Sequence, residues 1–297
     1  MSNDNSNAAR FAIIGFGEVG GIFARDLAQG GGPVLGVFDV AEAAQARAGT
    51  LACSSAAAAA SRADVVFVSV TAGSALAAAE SLAGGLDHRP FVVDVNSVSP
   101  AAKQAAARAV EEAGGRYVEA AVMASVPPKG LRSPMLLGGP HAADFLELMA
   151  PFRMDLKVYS PEVGKASSVK MCRSVMVKGL EALTTECMLA ARHYGVEADV
   201  LRSMADTLPH PDWPGLARYV ISRALIHGKR RAEEMREVAR TVEEAGVAPL
   251  AARAIAERQD WAWVQGRAMG PEALATTELD TLLDALTRAM QAPLAAP

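Results

Sequence analysis

Cysteine is scarce in this chain, with three in 297 residues, at positions 53, 172 and 187. Three thiols at that spacing make neither a disulfide framework nor a zinc site, and reduced cysteines in a cytosol are the simple expectation. Aromatic residues are few as well, at 5%. No uncharged apolar run approaches the roughly 20 residues that span a bilayer. The opening "MSNDNSNAAR" lacks the basic start and apolar stretch of a secretory signal and reads as a frayed tail. Charge of one dominant sign is also missing: the formal net charge is -4, and Lys and Arg are scattered apart from Lys229, Arg230 and Arg231. A nucleic-acid partner is therefore not expected. These absences point to a soluble, cytoplasmic protein with no membrane attachment and no metal site.

What is present is apolar and helix-forming. The chain is 51% hydrophobic and rich in alanine, and its length suits about two domains. Before residue 125, the β-branched runs "FAIIG" at 11, "VLGVFD" at 34, "DVVFVSV" at 64 and "FVVDV" at 91 alternate with Ala-rich stretches that stop at glycine. That alternation predicts βαβ units and a mostly parallel sheet. "GGRYVEAAVM" and "SPMLLGG" add further strands, and the alanine run at 56–60 reads as a helix packed closely on the sheet. After Pro161 the strand-like runs disappear. The expected organisation is a tail over 1–10, an α/β domain over 11–161, and an all-α domain over 162–297 joined to it by a long helix.

Within the α/β half, "FAIIGFGEVGGIFARDL" sets Gly15, Gly17 and Gly20 in GxGxxG spacing, with Phe16, Glu18 and Val19 between them. The motif follows a strand and opens a helix. Gly15 permits the tight turn, Gly17 lets a pyrophosphate approach the backbone, and Gly20 lets helix and strand pack. The helix N-terminus supplies free N–H donors and partial positive charge to phosphates. Asp39 ends the second strand, where a carboxylate accepts the ribose hydroxyls of a dinucleotide. Together these features predict a Rossmann domain. Asp39 would repel a 2′-phosphate, and "DVAEAA" places no Arg or Lys directly after it, so NAD is favoured over NADP. Further cofactor contacts are expected at the carboxyl ends of later strands, from Val70 and Thr71 in "VSVT" and from Asn96 and Ser97 in "DVNSVSP".

The long helix, from about 162 to 194, gathers Ser167, Lys170, Arg173, Ser174 and Lys178 in one polar sector at 100° per residue. Val169, Cys172, Val175, Met176 and Leu183 cover the opposite side. Periodicity alone permits either a lysine that looks into a cleft or a solvated stripe. In the last domain, His227, Arg230 and Arg231 precede Glu233 and Glu234, a pattern read either as a solvated face laced with i,i+3 and i,i+4 pairs or as an anion-binding cluster. The tryptophans at 213, 261 and 263 read as fillers of a core or a subunit interface.

The segments "GFGEVG", "DVNSVSP", "EAAVMAS", "LLGG" and "GKASSVK" occur in an order and spacing that resembles the β-hydroxyacid dehydrogenase family, which includes 3-hydroxyisobutyrate dehydrogenases and relatives of 6-phosphogluconate dehydrogenase. "HGKRRAEEMREVARTVEEAG", from 227, resembles the helical C-terminal domain of a phosphogluconate-dehydrogenase-like branch. The resemblance implies that a lysine of the long helix is catalytic. Lys170 matches it, with Gly164 at the start of the motif, while Lys165 and Lys178 stay surface or structural residues. A partly desolvated amine with Arg173 one turn away would then serve as base in alcohol oxidation and as acid in the reverse reaction.

Two departures from the family pattern affect the substrate. Where the resemblance implies a loop Asp-Ala-Pro-Val-Ser-Gly-Gly, this chain has "EAAVMAS", so Met123 takes the serine position and Ala124 and Ser125 the glycines. Ser174 stands in the place of an asparagine four residues after the lysine. Met123, Ser125, Arg173 and Ser174, with His227 and Arg231, are therefore the candidate contacts to a small anionic substrate. Relatives bury their helical domains against a second copy, which implies a homodimer. The alternatives are a β-decarboxylating oxidation, an imine reduction on the same architecture, and a dinucleotide sensor without catalysis.

Overall fold

The computed structural model describes residues 9–208 and 210–291. Of the tail expected over 1–10, residues 1–8 lie outside the described residues. Ala9 is buried, and Arg10 is tied to Asp64 through its backbone N–H and guanidinium at 2.8–2.9 Å. The chain divides into two compact units after Met171. That division falls inside the long helix rather than ahead of it.

The first unit is a seven-stranded sheet: β1 (Phe11–Ile14), β2 (Val34–Phe38), β3 (Val65–Val68), β4 (Phe91–Asp94), β5 (Arg116–Val122), β6 (Met135–Gly138) and β7 (Leu156–Ser160). Its order is β2-β1-β3-β4-β5-β6-β7, parallel throughout except where β6 runs antiparallel to β5. Every residue of β1, β3 and β4 is buried, which is why these strands read as continuous apolar runs: both faces are covered. β7 is largely exposed. The sequence reading missed it, since "LKVYS" at a sheet edge carries no buried pattern.

Among the described residues, seven α-helices lie wholly within this unit: α1 (Glu18–Gln29), α2 (Glu42–Ala48), α3 (Ala56–Ala60), α4 (Ala75–Glu80), α5 (Pro100–Glu112), α6 (Val126–Lys129) and α7 (Ala142–Met149). Strand side chains alternate between two cores. Phe11, Ile13, Phe67 and Val93 join Phe23 and Leu27 of α1 and Phe145 of α7 on one face. Ala12, Ile14, Val66 and Val92 join α3, α4 and α5 on the other. The alanine run is α3, as expected. A Cβ on Gly36 of β2 would come 2.8 Å from the Ala59 Cα, so helix and strand approach to a distance only small residues allow. Chain succession reverses between β1 and β3, and the carboxyl ends of these neighbours form the crevice where open α/β sheets bind ligands.

The helix α8 (Lys165–Tyr194) carries the chain across the division. The second unit continues with α9 (Glu197–Thr207), α10 (Trp213–Glu244), α11 (Leu250–Ala268), α12 (Pro271–Ala275) and α13 (Leu279–Gln291). Its core joins Met188, Leu201, Trp213, Ile221, Leu225, Leu282 and Leu286. Pro214 and the Asp212 carboxylate, which accepts from the Gly215 N–H at 2.9 Å, start α10. α10 and α11 pack backbone to backbone: Cβ atoms on Gly228 and Gly266 would meet the Gln259 and Leu225 carbonyls at 2.3 and 2.4 Å. Trp213 fills the core, whereas Trp263 lies under Lys229 and Arg267 and Trp261 under Arg258. No helix among the described residues is long and apolar enough to cross a membrane.

Candidate active site

The three motif glycines meet three different demands. Gly15 has φ +87°, and a Cβ there would lie 2.3 Å from the Ser69 carbonyl oxygen. A Cβ on Gly20 would lie 2.0 Å from the Gly15 oxygen. Around Gly17 there is nothing within 4 Å, so its surface is open. Gly17 also caps α1 without any side-chain hydrogen bond, leaving first-turn N–H groups for an anion. Phe16 and Val19 pack partly on the core, and Glu18 is exposed.

Asp39 follows β2 and is half-buried. One of its oxygens accepts from the Phe16 N–H at 2.6 Å and the other from the Ala41 N–H at 2.8 Å. A carboxylate has about four lone-pair sites, so capacity for ribose hydroxyls is left. Arg47 of α2 reaches the Phe16 carbonyl at 2.9 Å. Sequence reasoning looked for a cation directly after Asp39 and missed this one, which helical geometry brings back to the glycine loop.

At the carboxyl ends of β3 and β4, Ser69 bonds the Gly15 carbonyl at 2.8 Å and the Asn96 Oδ1 accepts from the Val70 N–H at 2.8 Å. That donor fixes which end of the Asn96 amide is oxygen. Its Nδ2 is buried and has no hydrogen-bond partner among the described residues. An unpaired buried donor costs about 1–3 kcal/mol, which a bound ligand carbonyl or hydroxyl would relieve. Thr71 is exposed, its hydroxyl 3.1 Å from that of Ser74. Beneath Asn96 lies a polar knot that the sequence reading did not mark. The fully buried Lys103 bonds the Asp94 carboxylate at 3.0 Å and carbonyl at 2.8 Å, and the Tyr117 hydroxyl donates to Asp94 at 2.8 Å. Burial first, and then the Asp94 charge, pushes the Tyr117 hydroxyl well above the ordinary phenol range. Asp94 in turn accepts from the Asn96 N–H and so orients the strand end.

Lys170 is half-buried, and its Nζ donates to the Ser97 hydroxyl at 2.5 Å. The amine is thus held at the end of β4, one residue beyond Asn96. Met123 is half-buried at the end of β5, with its N–H on the Pro134 carbonyl, and Ser125 is exposed at the start of α6.

The other substrate candidates belong to the helical unit. Arg173 is exposed. Ser174 is buried and accepts from Lys178 Nζ at 3.2 Å, and Lys178 pairs with Glu234 at 2.7 Å. Arg231 is buried in an ion pair with Glu181 at 2.6 Å, to which Gln259 also donates. Burial pushes the Glu181 carboxyl up, with Arg231 opposing it. His227 accepts from Arg223 at 2.9 Å; arginine has only donors, so this ring nitrogen carries no proton. Burial, then Arg223, Arg230 and Arg231, lower His227 to about 4. Of the expected solvated face, only Arg230, exposed and bonded to Glu234, has that character. His227 adds no charge near neutrality, and Arg231 is interior. Lys165 is a surface residue 3.8 Å from Glu162.

Residues 10–147 match the model for the NAD binding domain of 6-phosphogluconate dehydrogenase, and residues 191–262 match a domain of unknown function. A conserved hypothetical protein from Sinorhizobium meliloti 1021 is 35% identical, with a TM-score of 0.75 over 96% of this chain and 98% of its own. A conserved protein of unknown function, reported for its structural similarity with 3-hydroxyacid dehydrogenases, is 32% identical, with a TM-score of 0.67 over 86% of this chain and 99% of its own. This chain belongs to the β-hydroxyacid dehydrogenase and 6-phosphogluconate dehydrogenase-like family. A 3-hydroxyisobutyrate dehydrogenase from Mycobacterium tuberculosis, solved with L-serine, shares the fold at 17% identity and a TM-score of 0.66, over 96% of this chain and all of that one. In this β-hydroxyacid dehydrogenase-like chain, the residues that sequence reasoning missed are Arg47, Asp94, Lys103, Tyr117 and Glu119, the last a buried carboxylate of β5 that accepts from the Gly164 and Ser167 N–H groups. Each is a polar group in or beside apolar sequence, and its partner lies on another element. A charge inside a strand pattern, such as Asp94 or Glu119, was the available signal.

Proposed function

We propose that the chain is an NAD-dependent oxidoreductase that interconverts a small β-hydroxy acid, or a related alcohol, with its carbonyl compound, and that Lys170 is the general acid/base. The observation that carries this reading is the Lys170 amine held on Ser97, one residue beyond Asn96, whose buried Nδ2 has no hydrogen-bond partner among the described residues. Gly15, Gly17 and Gly20, with the uncapped first turn of α1, would hold the pyrophosphate. Asp39 would hold the adenosine ribose and favour NAD over NADP, and Asn96 with Val70 and Thr71 would lie at the nicotinamide end. The nicotinamide, when bound, accepts or supplies the hydride. Lys170 takes the proton from the substrate hydroxyl through its neutral amine, and returns it in reduction. Met123, Ser125 and Arg173 are the proposed substrate contacts, with Arg173 as the cation for an anionic group, whereas Ser174 is held by Lys178 inside the helical unit. His227 and Arg231 enter only indirectly, since one is neutral and the other is paired with Glu181.

Two copies of the chain are proposed to associate. Met176 and Leu183, seven residues apart on α8, are 75% and 70% exposed. The apolar side of this helix therefore lies open, while Ser174, Lys178 and Glu181 turn inward. A partner copy would cover it.

The test is a screen of NAD reduction over hydroxy acids including L-serine, amino alcohols and sulfonates. Lys170→Ala is expected to lower kcat by about a thousandfold while NADH affinity, read by fluorescence, stays within about twofold. Unimpaired turnover by that variant rejects the role of Lys170. NADH binding by the wild-type chain with no turnover across the panel favours a sensor, and carbon dioxide released in step with NADH identifies a decarboxylating oxidation.

A further inference from the structure

α8 begins without a capping side chain of its own. Gly164, whose carbonyl accepts the first helical N–H, from Ser168 at 2.9 Å, occupies the cap position and has φ +101°. Both donors that a capping box would satisfy are taken instead by one carboxylate from another element. Glu119, in the middle of β5 and fully buried, accepts from the Gly164 N–H at 2.7 Å through Oε2 and from the Ser167 N–H at 2.5 Å through Oε1. These are the cap and third-residue donors, and Glu119 performs both halves of the box from across the sheet. Its charge also sits at the positive end of the helix. The chain makes room for it at Gly138, where a Cβ would come 2.4 Å from Glu119 Oε2.

The geometry points to Glu119 as the positioning residue for Lys170. Ser167 is three residues ahead of Lys170, so the two clamped N–H groups set both the height and the rotation of the turn that presents the amine. Rotation is the sensitive coordinate: a side-chain tip about 6 Å from a helix axis moves roughly 2 Å for every 20° of turn. A 1 Å error in a reacting group can cost about a hundredfold in rate. Glu119 is also the register partner of Asp94 in β4, and Ser97 follows that strand. Adjacent strands thus hold α8 at two points, its first turn through Glu119 and Lys170 itself through Ser97. β5 runs on into Met123 and Ser125, so the same carboxylate ties the substrate loop to the helix of the proposed acid/base. The catalytic value of this placement rests on the Lys170 reading; the placement itself can be tested without a substrate.

The experiment is limited reductive methylation with formaldehyde and an amine–borane, with each lysine followed by peptide mass spectrometry. Exposed Lys229, on α10, serves as the internal standard, and buried Lys103 and Lys178 report general loosening. Two variants are compared with the wild type. Glu119→Gln loses one acceptor, while Gly138→Ala keeps the carboxylate but pushes it away. In both, labelling of Lys170 relative to Lys229 is expected to rise at least about threefold, with Lys103 and Lys178 still protected. No change at Lys170, or a rise that Lys103 and Lys178 share, overturns the positioning role. A rise in Glu119→Gln alone traces the effect to lost charge and overturns it too. Lys170→Ala turnover judges the acid/base reading separately, so the two failures are distinguishable.

Discussion

Gly17 and Gly20 are three residues apart in one motif, yet alanine should affect them in different ways. Gly17→Ala meets open space, so the melting temperature of the free protein should not change. The new methyl stands where a pyrophosphate would approach, so the stabilisation that NADH gives the wild type should shrink. Gly20→Ala forces a methyl to 2.0 Å from the Gly15 carbonyl and should destabilise the free protein by about 1–3 kcal/mol. Thermal melts with and without NADH separate the two. His227 gives a second residue-scale prediction. Its folded pKa of about 4 lies below the ordinary 6.5, so between those values the unfolded chain binds a proton that the folded chain refuses. Stability should fall as pH drops through that window, and His227→Gln should flatten the part of the decline due to this ring. A pH series of melting temperatures on both proteins checks it, and an unchanged slope would refute it. The glycine loop was legible in the sequence because its demands are local. The partners of His227 were not, since Arg223 and the burial that depress its pKa depend on how α10 packs.

At the scale of elements, α8 inverts the usual pattern. Its length and limits follow from composition and a glycine start, but much of its polar sector turns inward, with Arg173 left exposed. Ser174, Lys178 and Glu181 are buried because Glu234 and Arg231 of α10 meet them, whereas Met176 and Leu183 are exposed. Periodicity identifies the two faces and does not say which one is inside when charges are paired across a helix interface. The Arg231–Glu181 pair makes this testable. Arg231→Met strands a buried carboxylate and should cost about 3–5 kcal/mol in urea denaturation. Adding Glu181→Met should recover most of that loss, because the uncompensated charge goes with it. Acidification should likewise lessen the penalty of the single variant, since burial already raises the Glu181 carboxyl and the neutral acid needs no cation. Equal stability of the single and double variants would mean that the pair does not act as a unit.

At the scale of the molecule, the proposed dimer would give the open face of α8 a cover. Large exposed hydrophobics are concentrated in the helical unit, where Met176, Leu183, Tyr194 and Leu250 are each at least 70% exposed. Scattered singly, such residues would mean little. Met176 and Leu183 are two turns apart on one helix, and covering each contributes about 1.5–3 kcal/mol. A stable association removes about 800 Å² from each partner, more than these side chains provide, so the interface should extend beyond them to neighbours such as Val177. Wild-type chain at micromolar concentration should therefore sediment as a dimer. Met176→Glu with Leu183→Glu places two carboxylates where each copy would meet the other, and should yield a folded monomer with an unchanged circular dichroism spectrum. The substitutions lie outside the glycine loop and away from Lys170, so NADH affinity should survive in that monomer. A dimer that persists in the double variant would move the interface elsewhere. A wild-type chain that is monomeric at all concentrations would leave α8 with an uncovered apolar face and remove the dimer from the proposal.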